Sequence, residues 1–464
     1  MDRTGVKSYA AWADHRRFME LTFCETIDRV EKILHEKLPE VPLDMSGTMP
    51  PNGWTGMDMW LISKNIGEPA AYAEGYLGDL VRSFGRPFVK PWTGYSAPPK
   101  KVAFLPWDYA FRFLDTGMYF WTCFNFLLPD YSPTPTAVQY GKTGEELRRG
   151  TARLLRSLES RHEVLIHYSY ASIHAAQIER RYDGFMKCDQ GWRRKLQLRS
   201  IPYRYVAYAE IEDGALDRTA AKMLILPQSA AISDKEAVAI RRFAERGGVV
   251  VGDEETGRLD QHCALRSSSV LRDVIKKDVD FGPGDDDGVT PYPLFPRDGA
   301  EGRYWGFTRA MDAEEGEAER TVRMDGPMFV YDLRAKKLIG KVASFKVSMR
   351  ASGAKFFAAL PYEVGPLAAV ASATPPGGVV KLDVKAGVPA WSKACHPVIV
   401  DVYSPDGKRS RLYSGVCDAK GGRCSFEFRT ALNDLQGTWR VAVTDYITGE
   451  TVYAAFEMRS NNIE

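Results

Sequence analysis

The chain has 464 residues, of which 44% are hydrophobic and 26% charged, an ordinary globular composition that excludes a predominantly disordered protein. Single hydrophobic cores stop growing near ~250–300 residues, so several domains are expected. Sixty-two basic and sixty acidic residues leave a net charge of +2 with no basic stripe, which argues against nucleic acid as a partner.

The N-terminus, Met1-Asp2-Arg3-Thr4, lacks the apolar core of a signal peptide, and no run of about eighteen apolar residues follows, so no membrane association is expected. Trp12, Phe18, Phe23, Ile27, Val30, Ile33 and Leu34 recur at helical spacing, predicting a helix from Ala10 to Lys37 that Pro39 ends. The apolar run Val41-Pro42-Leu43 then reads as a strand, and Met57 to Trp60 as a second strand end. Ala70 to Phe84 reads as a helix and Arg86 to Lys90 as the next strand. A helix from Trp107 to Thr116, the apolar strand Met118 to Phe124 and a charged helix Glu145 to Ser160 complete the segment. Four strand–helix units make half of an eight-fold barrel.

A second block opens on Val164 to Ser169, which reads as a buried parallel strand, and continues to Lys222–Pro227. A capped helix from Ser233-Asp234-Lys235-Glu236 to Arg246 and the strand Gly248–Asp253 follow. This is the pattern of a flavodoxin-like doubly wound domain. Gly, Pro and Asp dominate from Asp280 to Gly302, including Asp285-Asp286-Asp287, marking a linker or long loop. From Val379 the chain alternates in period two through Pro397–Tyr403, Ser410–Val416, Cys424–Phe428, Thr438–Asp445 and Thr451–Met458, as a β-sandwich requires. The fold class is thus multidomain α/β plus β: a partial (β/α)8 barrel over 1–160, a three-layer α/β domain over 161–275, a linker and β-rich segment over 276–375, and an Ig-like sandwich over 376–464.

Seven cysteines, Cys24, Cys123, Cys188, Cys263, Cys395, Cys417 and Cys424, lack CxxC spacing, so neither a zinc site nor a disulfide framework is signalled. Such usage fits a reducing, cytoplasmic compartment, and no cofactor signature is present. Cys417 and Cys424 flank the turn Ala419–Gly422 and are placed to face each other across a hairpin.

Several motifs carry a family resemblance. Ile166-His167-Tyr168-Ser169 with Ser172–Ala176, Leu226–Ser233, and Arg241-Arg242-Phe243 with Glu245–Val251 resemble the trimerisation domain of the glycoside hydrolase family 42 (GH42) β-galactosidases. Val330–Arg334, Leu360-Pro361-Tyr362 and Ala431–Asp434 running to Gly437–Val441 resemble the domain that accompanies it. The α/β domain also resembles class I glutamine amidotransferases, but no cysteine occupies their nucleophile turn. The resemblance implies a carbohydrate ligand and a homo-oligomer, a trimer in the family. It maps Val41–Gly47, Met57–Trp60, Pro87–Trp92 and Met118–Phe124 onto barrel strands five to eight. Strands one to four have no counterpart, so the sequence either begins inside a longer gene or forms an open half-barrel.

Retaining glycosidases place two carboxyl groups ~5–5.5 Å apart, one as nucleophile and one as acid then base. The family's glutamates end strands four and seven. Strand four is absent here, and Phe88-Val89-Lys90-Pro91-Trp92-Thr93-Gly94-Tyr95 offers no carboxylate at the nucleophile's place. Asp44 and Asp58 fall at the strands' C-terminal rim and are the remaining catalytic candidates; the alternative is that they cap loops or pair with Lys64 or Arg86. Asp58, Trp60, Trp92, Tyr95, Trp121 and Asn125 form the candidate sugar-binding set, an aromatic wall with one amide, although Trp121 also suits packing. Asp108 and Glu74 read as surface or hinge residues. Ser229 follows a strand but has no evident histidine partner, and His167 and His174 read as structural, without acids at metal-ligand spacing.

Overall fold

The computed structural model describes residues 8–41, 43–66, 68–71, 75–84, 92–93, 99–114, 119–120, 126–199, 201–282, 287–310 and 313–459. The chain forms two compact units, and it crosses between them more than once. One comprises Met1–Ser96, Asp115–Phe124 and Arg161–Asp286; the other comprises Ala97–Leu114, Asn125–Ser160 and Asp287–Glu464. The four consecutive segments read from the sequence are therefore not the compact bodies. Helix Pro99–Arg112 illustrates why: its Trp107 and Phe111 pack with Tyr304 and Phe356 of an antiparallel sheet that lies far along the chain.

In the first unit, helix α1 spans Ala10–Lys37 as its periodicity predicts, burying Ala13, Glu20 and Cys24 on one side. Its opposite side leaves Phe18, Met19, Phe23, Val30 and Ile33 exposed. Strand β1, Asp44–Thr48, pairs in parallel with β2, Glu68–Ala71, and β3, Trp92–Thr93, pairs in parallel with β4, Tyr119–Phe120. Among the described residues these are two separate pairs, not one four-stranded run. The segment Met57–Trp60, read as a strand, is the start of helix α2, Met59–Asn65. Asp58 reverses the expectation: its Oδ1 accepts the Trp60 backbone N–H at 3.1 Å, the N-cap bond that starts a helix. Helix α3, Gly75–Phe84, follows β2.

Five parallel strands form the centre of this unit: β5, Val164–Tyr168; β6, Tyr203–Ala207; β7, Met223–Leu226; β8, Val249–Gly252; and β9, Ile275–Lys276. Their order across the sheet is β9-β8-β7-β5-β6, so the strand order reverses between β5 and β7. Helices α4 (Tyr170–Ile178) and α5 (Tyr182–Gln197) connect β5 to β6, α6 (Tyr208–Glu212) follows β6, and α7 (Asp234–Glu245) connects β7 to β8. Side chains alternate across the pleat. Ile166, Tyr168, Tyr205 and Val251 face a core shared with α2 and α3, whereas Leu165, Val206, Leu224 and Val250 face Ile240 and Phe243 of α7. The result is three layers, with an apolar core on each side of the sheet.

The second unit is mostly antiparallel sheet. Residues 276–375, read partly as linker, contain the long hairpin Glu317–Asp332 with Lys337–Arg350, which belongs to a six-stranded sheet. The strands from Val379 onward lie within three residues of the predicted runs; with Gly365–Ala371, which no predicted run covered, they split into a three-stranded and a four-stranded sheet. Val380, Leu382 and Val384 of one share a core with Val398, Val400, Val441 and Phe456 of the other. Cys417 and Cys424 are joined by a disulfide, so the facing read from the turn becomes a covalent link. Among the described residues no helix is long and apolar enough to cross a membrane.

Candidate functional site

Asp58 is fully buried at the start of α2. Burying a carboxylate is costly unless its oxygens are satisfied, and both are. Beyond the cap bond on Oδ1, Oδ2 receives Arg17 Nη1 from α1 at 2.9 Å and the Tyr208 hydroxyl from α6 at 2.6 Å. Arg17 Nη2 also donates to the Tyr208 oxygen at 2.7 Å, closing a three-membered ring. Burial opposes the Arg17 charge, yet Tyr208 and Asp58 hold the guanidinium above the ordinary arginine value. Burial, followed by the Asp58 charge, keeps the Tyr208 phenol protonated well above the usual tyrosine range. Beside this ring, Glu20 is also fully buried and pairs with His174 Nε2 at 2.6 Å.

This arrangement corrects the expectation that Asp58 meets a sugar hydroxyl or acts as a catalytic carboxylate. It has no exposure and accepts three hydrogen bonds, and it behaves as the alternative reading foresaw, capping a helix and pairing with a cation, here Arg17; Arg86 lies outside the described residues. Lys64 instead lies over the Trp60 ring, 4.5 Å from its centroid. Trp60 is half-buried, packs edge-on against Phe84, and keeps an indole N–H with no partner among the described residues. Asp44 opens β1 and Trp92 opens β3, so Asp44 stands at the start of its strand and not at the C-terminal end of a Val41–Leu43 strand as the sequence suggested. Tyr95, Trp121, Asn125 and Glu74 lie outside the described residues. Asp108 is not a free surface group: its Oδ1 accepts from the hydroxyls of Tyr292 at 2.7 Å and Thr308 at 2.9 Å.

The fold also assembles a group that the sequence conceals. His167, in the middle of β5, has Ser229 Oγ 2.9 Å from Nδ1 and Glu236 Oε1 2.8 Å from Nε2. Glu236 can only accept when ionised, which places the ring proton on Nε2 and lets Ser229 donate to Nδ1. Serine, histidine and acid are thus in hydrogen-bonded series, as in a hydrolase triad. All three are buried, however, which leaves Ser229 1% exposed. Glu236 has a second duty in the capping box of α7, accepting the Ser233 N–H at 2.7 Å while Ser233 Oγ accepts the Glu236 N–H. The series therefore locks β5, the turn after β7 and the start of α7 together. The partners lie 62 and 69 residues from His167, beyond any local pattern; the available signal was a histidine inside an apolar, fully buried strand, which must find polar partners. Among the described residues, no group of His, Cys, Asp and Glu is arranged to hold a metal ion.

No family model and no curated protein matches the chain. Solved structures do. The apo GH42 exo-carrageenase from Bacteroides ovatus superimposes with a TM-score of 0.53 at 11% identity, over 75% of this chain and 56% of that one. The β-galactosidase from Bacillus circulans sp. alkalophilus gives 0.52 at 13% identity, over 75% and 68%, respectively. That from Rahnella sp. R3 gives 0.53 at 11% identity, over 77% and 69%. The chain has a GH42-like fold, and it spans little more than half the length of the carrageenase.

Proposed function

We propose that this chain is a glycoside hydrolase-like protein of the β-galactosidase type that binds β-linked sugars and does not hydrolyse them. The GH42-like fold carries the reading. The neighbours' names make β-galactosides the first ligands to try. The family's nucleophile would end the strand matched by β3, and neither Trp92-Thr93 nor its partner Tyr119-Phe120 supplies a carboxylate. Hydrolysis by the retaining route needs two such groups on either side of the glycosidic bond. The proposed sugar face is the rim at the starts of β1, α2 and β3, where Asp44, Trp60 and Trp92 stand; Tyr95, Trp121 and Asn125 are the sequence candidates assigned to it. Asp58 acts at one remove, fixing the start of α2 and with it Trp60. The three-layer domain serves assembly, giving a homo-oligomer that the resemblance makes a trimer.

Calorimetric titration of the chain with a neutral β-galactoside disaccharide tests the reading, alongside an aryl β-galactoside turnover assay. Binding without turnover is the expected result, with Trp60→Ala and Trp92→Ala each weakening affinity about tenfold, near 1.4 kcal/mol. Turnover above background would replace binding with catalysis. Absence of binding would remove the rim as a sugar face.

A further inference from the structure

The second unit contains a cavity of about 810 Å³, lined by the helix Pro135–Glu146, the kinked turn Leu147–Thr151, the hairpin turn after Asp332 and the strand Arg409–Asp418. Its charge is unbalanced. Lys142, Arg149, Arg334, Lys336, Arg409 and Arg411 line it, six cations in all. Three carboxylates answer them. Glu146 takes both Arg334 Nε at 2.7 Å and Nη2 at 2.9 Å. Asp401 binds Arg149 and, at 2.6 Å, Arg409, while Glu145 takes Arg409 at 3.1 Å. Lys142, Lys336 and Arg411 are left without an ion pair among the described residues; Asp332 and Asp445, which attract Lys336, are themselves paired with Lys355 and His396.

Lys336 is held in place. Its backbone takes a φ of 54°, a left-handed conformation uncommon for a side chain larger than glycine. The ammonium sits 3.5 Å from the Tyr446 ring centroid and donates one of its three N–H bonds to the Tyr446 carbonyl. Tyr446 in turn packs over Gly150, where a Cβ would lie 2.1 Å from the ring. Burial pushes the Lys336 ammonium down to about 8, against the pull of Asp445, Glu146 and Asp332. A half-buried ammonium with spare donors and no ion-pair partner among the described residues, at the wall of a roomy cavity, suits an anion.

We infer that this cavity binds the anionic group of an acidic oligosaccharide, a sulfate ester or a uronate carboxylate, through Lys142, Lys336 and Arg411. The positive surplus is independent of the carbohydrate reading above; the sugar to which the anion is attached rests on that reading. The volume falls within the ~300–1,000 Å³ of small-ligand sites, enough for a short saccharide.

The test is calorimetric titration of the full chain with four probes: a neutral galactose disaccharide, its 6-sulfate, a uronate-containing disaccharide and inorganic sulfate. At least one acidic disaccharide should bind about tenfold or more tightly than the neutral one, and which does so identifies the anion. The exposed pair Lys142→Ala/Arg411→Ala, which removes no internal contact, should erase that preference and leave the fold and neutral binding unchanged. Equal affinity for acidic and neutral disaccharides, an acidic preference that survives the double variant, or inorganic sulfate binding as tightly as either acidic sugar would each overturn the inference. The two proposals fail separately. A neutral disaccharide that binds nowhere, with the acidic preference intact, sinks the rim; neutral binding lost in Trp60→Ala with no acidic preference sinks this cavity.

Discussion

At the scale of single residues, polar groups placed in low-dielectric surroundings govern the chemistry of the first unit. Asp58→Ala removes a helix cap and leaves Arg17 and Tyr208 facing an empty volume. Because the Arg17 side chain is 34% exposed, solvent relieves part of the penalty, so the expected loss is about 2–4 kcal/mol by urea denaturation, and Asp58→Asn should recover the cap share of it. His162 provides a pH signature. Burial, then Arg82 and Arg204, lower its folded pKa from the ordinary 6.5 to about 3. The unfolded chain therefore takes up the proton first, and this group's contribution, complete above pH 6.5, is lost as pH falls towards 3. Urea midpoints measured from about pH 7 to about pH 5 should decline in the native sequence and decline less in His162→Gln. Burial also raises the Cys24, Cys263 and Cys395 thiols to about 12, so a thiol reagent at neutral pH should modify them only after denaturation.

Elements were legible where one periodicity ran long enough to exclude the other. Helix α1 and the strands Pro397–Tyr403 and Thr451–Met458 have the bounds the sequence predicts, because their patterns persist for seven residues or more. Met57 to Trp60 failed because four residues of alternating Met, Asp, Met and Trp fit a strand as well as a helical turn. The side chain that decides is Asp58, an N-cap followed by the apolar residues Met59, Leu61 and Ile62. Strand β2 was hidden by its Glu68-Pro69 start and its length of four residues. Of the candidate site, the sequence expected Asp44 and Trp92 at the C-terminal ends of strands, whereas each opens its strand, β1 and β3, and it could not foresee that Arg17 and Tyr208, remote in the chain, would claim Asp58. The capping box at α7, by contrast, was visible as Ser233 and Glu236. Glu236→Ala breaks that box and strips His167 of its acid, so about 2–3 kcal/mol should be lost, against about 1 kcal/mol for Ser233→Ala, with both measured by chemical denaturation. The Cys417–Cys424 bridge closes a short loop, and its removal as the double serine variant should cost about 2 kcal/mol.

At the scale of the molecule, assembly through the three-layer domain is a proposal with a direct readout: light scattering should return a small integral number of chains, and a monomer at micromolar concentration would end it. Helix α1 bears on the handling of any such preparation. With Phe18, Val30 and Ile33 at 62%, 48% and 59% exposure, it presents to solvent a stripe as apolar as many helices bury. Sulfate and phosphate are excluded from protein surfaces and raise the free energy of wetted hydrocarbon, so this stripe should set the salting-out point of the chain. Phe18→Lys/Ile33→Lys should move precipitation to higher ammonium sulfate, and the wild-type chain should come out of solution early in a fractionation despite its ordinary composition.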